Sequence, residues 1–130
     1  RAHFRTLLSC YNRSAFFEHY RDGLEVLFQK DTSWLVEWNL ACFEWVIDQL
    51  KLDVIVGKTS SFQSKYEDTQ HHDFRGLLRP GHYAVPGIST VEYAQVFMER
   101  SAFVPGLSIL DMLFCEGPRA SRILKQMAGM

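Results

Sequence analysis

Apolar residues recur at the spacing of one helix face along most of the chain. In the first segment this face is formed by Phe4, Leu7, Leu8 and Tyr11. Polar or breaking residues then separate successive helices. The pattern predicts helices at Arg1–Tyr11, Ala15–Lys30, Trp34–Lys51, Ser108–Cys115 and in a final stretch with Pro118 at its first position.

The segment Trp34–Lys51 is apolar around most of its circumference, which predicts a central core helix. Its three tryptophans line up on one side, and this stripe either packs in the core, which we favour, or forms a binding surface. Asn39 falls inside the apolar sector. Because a buried amide needs partners, Asn39 either ties down a neighbouring loop or faces a pocket.

Two short segments have the character of strands. Asp53–Gly57 is rich in β-branched residues, and Val91–Phe97 alternates apolar and polar positions. Between them, Lys58–Ser89 loses all periodicity and collects glycine, proline, histidine and charged residues. Long irregular segments are usually functional or disordered. The predicted fold class is α+β, mainly helical, with five or six helices and a few short strands in one domain over residues 1–130.

Composition narrows the classes of function. Hydrophobic residues make up 47% of the 130, which is ample for a core, and the formal net charge of −1 offers no basic excess for nucleic acid. No apolar run approaches the ~20 residues needed to span a membrane. The three cysteines are far apart and predict free, buried thiols in a reducing cytoplasm.

Two apparent ligand motifs are weak. Gly57–Ser60 reads GKTS, but Leu52 stands where a phosphate loop needs its first glycine. His71, His72 and His82 could ligate a metal, yet adjacent histidines on an extended chain point to opposite sides, so a solvated loop is favoured. We therefore predict no metal and no cofactor.

A few polar residues are better candidates for a site. Asp73 and Arg75 lie on the same side of an extended chain, where they either pair with each other or clasp an anionic or sugar ligand. Asp111 has mostly apolar helical neighbours, so its carboxylate must be paired, hydrogen-bonded or shifted in pKa. It either anchors the backbone or an arginine of the loop, or acts as an acid or base in a cleft. His3 is ambiguous in the same way, with a structural role favoured.

Several phrases together resemble one known family. They are R-A-H-F-R-T-L-L-S-C-Y-N-R-S-A-F-F-E-H-Y, W-L-V-E-W-N-L, H-D-F-R, V-E-Y-A-Q-V-F and F-V-P-G-L-S-I-L-D-M-L-F-C-E-G-P. In this order they resemble the WbqC-like protein family. Gly106 and Cys115 depart from it, since the family often has asparagine there. The resemblance implies that the chain is the C-terminal two-thirds of a member, whose N-terminal part would precede Arg1.

Members resemble proteins encoded in bacterial surface-polysaccharide and O-antigen gene clusters. The resemblance implies a transferase that moves a glycine or other acyl-type group to a nucleotide- or lipid-linked sugar. It implies Asp111 and His3 as catalytic acid/base candidates. The matching substrate-binding candidates are Asp73, Arg75, Asn39, Gln95 and Ser108.

The sequence leaves the oligomeric state open and keeps a second class of function. An enzyme requires His3, Asp73, Arg75 and Asp111 to converge on one cleft. A non-catalytic protein-interaction or ligand-binding module instead predicts a contiguous exposed apolar patch.

Overall fold

Packed α-helices, with irregular segments between them, form the part of the protein that the structure describes. A computed structural model describes residues 2–66, 73–76 and 89–129. In chain order the helices are α1 (Ala2–Tyr11), α2 (Phe17–Gln29), α3 (Leu35–Leu50), α4 (Ile109–Glu116) and α5 (Ala120–Met127), and a 3-10 turn (Gly117–Arg119) joins the last two.

The predicted α+β class, with short strands at Asp53–Gly57 and Val91–Phe97, is wrong, because none of the three described ranges contains a strand. Residues 53–57 and 91–95 have no regular structure, and 96–100 form a turn. β-Branched and alternating residues favour a strand only where a neighbouring strand and a packing surface are available. In residues 53–57, Ile55 is 98% exposed, so this segment has no neighbouring strand and no packing surface for that side chain.

The positions of the helices are confirmed, because their signals are local. The predicted helices over Arg1–Tyr11, Ala15–Lys30 and Trp34–Lys51 correspond closely to α1, α2 and α3. Ser108 caps α4, since its hydroxyl accepts a hydrogen bond from the backbone N–H of Leu110 at 3.3 Å.

The core lies where α2 packs against α4 and α5. Phe17 and Leu24 of α2 are buried with Leu113 and Phe114 of α4. The rings of Phe17 and Phe114 meet edge to face, with centroids 5.0 Å apart. The backbone N–H of Phe16 also donates to the carbonyl of Phe114 at 2.9 Å, which fixes the start of α2 against α4.

The prediction that the third helix is the central one is wrong. Ala41 and Leu50 are the buried residues of α3, whereas Trp34, which precedes it, is 68% exposed. A helix that is apolar all round can cover only one face when few helices surround it. That face meets α2, where Trp45 packs on Tyr20 and lies 3.0 Å from the position that a Cβ would occupy at Gly23.

Among the described residues, no helix has the length and apolar character needed to cross a membrane.

Candidate functional site

A buried carboxylate joins three parts of the fold. Asp111 of α4 is 2% exposed. Its Oδ1 accepts a hydrogen bond from the Tyr11 hydroxyl at 2.9 Å, and its Oδ2 accepts one from the Tyr93 hydroxyl at 2.8 Å. Tyr11 ends α1, and Tyr93 belongs to the irregular segment before α4. The carboxylate therefore links the end of α1 and the segment that contains Tyr93 to α4.

The two phenols remain protonated donors over the ordinary pH range. Burial, together with the hydrogen bond to Asp111, raises the pKa of Tyr11 and of Tyr93 well above its usual value. Neither tyrosine is among the residues predicted for the site. Tyr11 and Asp111 are separated by 100 positions, so no local pattern reveals the pair.

Asp111 is thus a structural anchor, but its partners are two tyrosines and not the loop backbone or arginine that one predicted alternative named. Its catalytic role stays a prediction. His3 is exposed on α1. Tyr11 lies more than two helical turns further along the same helix, about 12 Å at the rise of an α-helix. His3 and Tyr11 therefore lie near opposite ends of α1, and His3 is not one of the described side chains that hydrogen-bond to Asp111.

The predicted pair Asp73 and Arg75 is present as an ion pair. Arg75 Nη2 lies 2.6 Å from Asp73 Oδ2, and Arg75 Nε donates to Oδ1 at 2.8 Å. These hydrogen bonds lower the pKa of Asp73 to about 2. Arg75 also donates to the carbonyl of Gln63 at 2.9 Å, and its guanidinium lies 5.1 Å from the ring centre of Tyr66. The pair holds segment 73–76 against residues 63–66.

Two other predicted substrate-binding residues support the backbone. Gln95 donates from Nε2 to the carbonyl of Val104 and accepts at Oε1 from the N–H of Val104, both at 2.9 Å. Ser108 caps α4. In these positions Gln95 closes the loop before α4, and Ser108 begins the helix itself.

Asn39 and Ser108 nevertheless meet at a common pocket. This apolar pocket has a volume of about 570 Å³. It is lined by Leu24, Leu27, Phe28, Asn39, Cys42, Phe43, Trp45, Val46, Ile47, Leu50, Leu52, Val54, Ser108, Ile109, Leu110 and Leu124. Asn39 faces a pocket, as one of its two predicted alternatives required, and is exposed rather than buried.

A second pocket lies at the other end of α4. This basic pocket, of about 560 Å³, is lined by Arg13, Ser14, Ala15, Ala94, Gln95, Val96, Phe97, Glu99, Arg100 and Cys115. Burial is the main factor that raises the pKa of Cys115 to about 11, so it is a neutral thiol at physiological pH. The arginines stand singly in turns, and no sequence motif marks them.

No group of three or more histidine, cysteine or acidic side chains suited to a metal occurs within residues 2–66, 73–76 and 89–129. The candidate ligands His71, His72 and His82 lie outside the described residues. The sequence GKTS at Gly57–Ser60 falls in the irregular chain after α3 and precedes no helix there, so it lacks the context of a phosphate loop.

Comparison with known proteins places the chain in one family. No curated protein and no solved structure matches the chain. The model of the WbqC-like protein family matches residues 1–78, which is more than half of the chain. The match takes in the first three helices and the H-D-F-R phrase, whereas the closing phrases of the resemblance lie beyond it. The chain belongs to the WbqC-like protein family.

Proposed function

We propose that this protein is part of a transferase that moves a glycyl or other acyl-type group to a lipid-linked sugar in bacterial surface-polysaccharide or O-antigen synthesis. The resemblance described above supports the reaction class. The observation that carries the choice of substrate is the apolar pocket with Asn39 and Ser108 in its lining. Pockets of roughly 300–1,000 Å³ with apolar walls and few polar groups are typical ligand sites.

The lining favours a lipid-linked over a nucleotide-linked sugar. A nucleotide brings a base and a ribose that need several hydrogen-bonding partners, because unpaired polar groups are costly to bury. Among the described residues of this lining, Asn39 and Ser108 are the only two with an amide or hydroxyl side chain, and none carries a charge. A hydrocarbon chain suits such walls, since each buried CH₂ contributes about 0.8 kcal/mol.

The two polar residues are placed to contact the headgroup. The Ser108 hydroxyl oxygen accepts from the backbone N–H of Leu110, which leaves its proton available for a ligand. The Asn39 amide makes no hydrogen bond with any other described residue. Asp111 supports this end of the pocket, because its backbone N–H donates to the Ser108 carbonyl at 2.9 Å. Among the described residues that line this pocket there is none of the four that an enzyme was expected to bring together, His3, Asp73, Arg75 and Asp111. The proposal keeps Asp111 and His3 as acid/base candidates, and a cytoplasmic location, as predictions that rest on the family resemblance alone.

Binding of a short lipid phosphate tests the substrate class. Binding of farnesyl phosphate, of farnesol and of a uridine diphosphate sugar to the protein is measured separately by calorimetry, with both farnesyl compounds below their critical micelle concentrations. We expect farnesyl phosphate to bind and Asn39→Leu to weaken it about ten-fold, the loss of one hydrogen bond to a charged group. Gln49→Leu removes an amide from the same helix outside the pocket and should leave binding unchanged. Tighter binding of the nucleotide sugar would contradict the proposal.

Transfer itself is tested with a polyprenyl-phosphate sugar as acceptor. An aminoacyl-tRNA and an acyl thioester are offered separately as activated donors. A gain of one glycyl or acyl group on the lipid-linked sugar, detected by mass spectrometry, is the expected result. Binding without transfer from either donor would leave a ligand-binding module and reject the enzyme.

One observation favours a second candidate, an interaction module. At the start of α3, Trp34, Leu35 and Val36 are 68%, 73% and 59% exposed. Adjacent exposed apolar side chains are typical of a docking surface. If this surface provides the function, Leu35→Glu will abolish self-association or partner binding in analytical ultracentrifugation and leave farnesyl phosphate binding intact. The transferase proposal predicts the same lipid binding but no change in association state.

A further inference from the structure

The basic pocket is formed by two turns that face each other at the C-terminal end of α4. Arg13 and Ser14 come from the turn between α1 and α2, and Glu99 and Arg100 come from the turn at 96–100. Cys115 of α4 also lines the pocket. The pocket is about 560 Å³, which is larger than a phosphate group needs and leaves room for an ester substituent.

Both arginines in this pocket lack a carboxylate partner in the part of the chain that the structure describes. Three other arginines do have one: Arg21 pairs with Glu18, Arg75 with Asp73 and Arg119 with Glu116. Arg5 and Arg122 also lack such a partner among the described residues, but neither lines this cavity, whereas Arg13 and Arg100 line it together. Among the described residues of the lining, Glu99 is the one carboxylate beside two arginines, which gives this part of the lining a net charge of +1.

The turns that carry the arginines are held by hydrogen bonds. Gln95 clasps Val104 through both amide atoms, and the backbone N–H of Arg100 donates to the carbonyl of Phe97 at 2.9 Å. On the opposite side, the N–H and the hydroxyl of Ser14 both donate to the carbonyl of Tyr11 at 2.8 Å. A site whose backbone is fixed before binding loses less conformational entropy when the ligand arrives.

Two acidic groups outside the lining act on Cys115 in the pocket wall: the buried Asp111, which two tyrosine hydroxyls solvate, and Glu116. Glu116 is paired with Arg119 at 3.0 Å and also accepts from the N–H of Ala94, so its charge is offset locally. Cys115 is a neutral thiol and adds no negative charge to the wall. The lining therefore favours a ligand with more than one negative charge over a neutral one.

We propose that the basic pocket between Arg13 and Arg100 is a binding site for a phosphate group. Guanidinium groups match the paired oxygens of phosphate, and two of them can engage a dianion from opposite sides. The phosphate is either free inorganic phosphate or the phosphate of an ester. This site is separate from the apolar pocket, and the inference does not rest on the proposed transferase.

Phosphate titration with arginine variants tests the site. Inorganic phosphate is titrated by calorimetry at constant ionic strength, which keeps charge screening equal in all experiments. We expect Arg13→Gln and Arg100→Gln each to weaken binding about five-fold, the loss of one charge-assisted contact. Arg122→Gln is the matched control, since Arg122 is an exposed arginine of α5 outside the pocket. Unchanged binding in both pocket variants, or an equal loss in the control, would overturn the proposal.

A variant that gains affinity excludes misfolding as an explanation. Glu99→Gln removes the competing carboxylate and should strengthen phosphate binding about three-fold. Phosphate should also slow alkylation of Cys115 by neutral iodoacetamide, whereas Cys42, which lines the apolar pocket, should react at an unchanged rate. Unaltered affinity in Glu99→Gln together with equal protection of both cysteines would reject the site.

Two further ligands identify the source of the phosphate. Glycerol phosphate that binds more than ten-fold tighter than inorganic phosphate indicates an ester, and equal affinities indicate free phosphate. Acetate is the third ligand whose affinity is compared with that of inorganic phosphate. If acetate binds as tightly as inorganic phosphate, the pocket accepts carboxylates generally and the phosphate assignment is wrong.

Discussion

Asp111 is the residue at which a structural and a catalytic role can be separated by substitution. Replacing it with alanine leaves the Tyr11 and Tyr93 hydroxyls without their acceptor. We expect Asp111→Ala to lower the free energy of unfolding by about 3 kcal/mol, measured by urea denaturation. The exposed Asp53→Asn is the control and should have little effect. An Asp111→Ala protein as stable as the wild type would contradict the anchor.

The isosteric Asp111→Asn variant tests the acid/base role. If Asp111 only positions α4, activity should fall no further than the fraction of folded protein. If Asp111 transfers a proton, turnover should fall by at least about 100-fold in protein that is still folded. Comparison of turnover with folded fraction by circular dichroism distinguishes these outcomes.

The tyrosines that bond to Asp111 predict an alkaline limit to stability. Their pKa values are raised in the folded state. A raised pKa contributes stability that is complete below the unfolded value near 10 and is lost as pH rises above it. We expect the urea midpoint to fall above about pH 10. The double variant Tyr11→Phe, Tyr93→Phe should show a smaller fall, and an equal fall would contradict the assignment.

At the scale of elements, the junction of α4 and α5 depends on one glycine. Gly117 has a φ of +54°, and a Cβ there would lie 2.5 Å from Cδ1 of Phe16. Gly117→Ala combines an unfavourable backbone conformation with a steric clash, so we expect a loss of about 3 kcal/mol in thermal or urea unfolding.

Two other glycines separate these causes. Gly129 has a φ of +70° and no atom within 4 Å of the position that a Cβ would occupy, so Gly129→Ala reports the conformational cost alone. Gly57 has neither feature, and Gly57→Ala should be close to neutral. A loss at Gly117 no larger than that at Gly129 would show that Phe16 moves aside without cost.

The helices could be predicted from sequence because their causes are local. The spacing of apolar residues defines α1 and α2, and the Ser108 cap depends on an N–H two residues away. The strands could not be judged in this way, since alternation at 91–97 shows a favourable side-chain pattern but not whether another strand is present to pair with it.

At the scale of the whole molecule, the site depends on contacts between distant parts of the chain. The sequence marks Asp111 as a candidate because a carboxylate among apolar neighbours needs partners, yet nothing local in the sequence points to its partners Tyr11 and Tyr93. Asn39 and Ser108 were identified separately, and only packing of α3 beside the start of α4 brings both to one pocket. Arg13 and Arg100 were missed, because isolated arginines in turns are normally solvated.

Helix α4 connects the two pockets. Its first turn lines the apolar pocket, and Cys115, about 9 Å further along the helix axis, lines the basic pocket. Asp111, which with Tyr11 and Tyr93 forms the Asp111 cluster, lies between the two pockets on the same helix. Substitutions that loosen this cluster should therefore weaken ligand binding in both pockets, whereas Asn39→Leu should affect only the apolar one.

The most direct test of the proposed function is a map of where a lipid-linked sugar phosphate binds. Backbone amide shifts are followed by NMR as a farnesyl-phosphate sugar is added to the full chain. We predict the largest shifts at residues 39–46 of α3 and 108–110 at the start of α4, with smaller shifts in Asn39→Leu. Shifts confined to Trp34–Val36, or no saturable shifts at all, would contradict the proposal that this pocket receives the lipid-linked substrate.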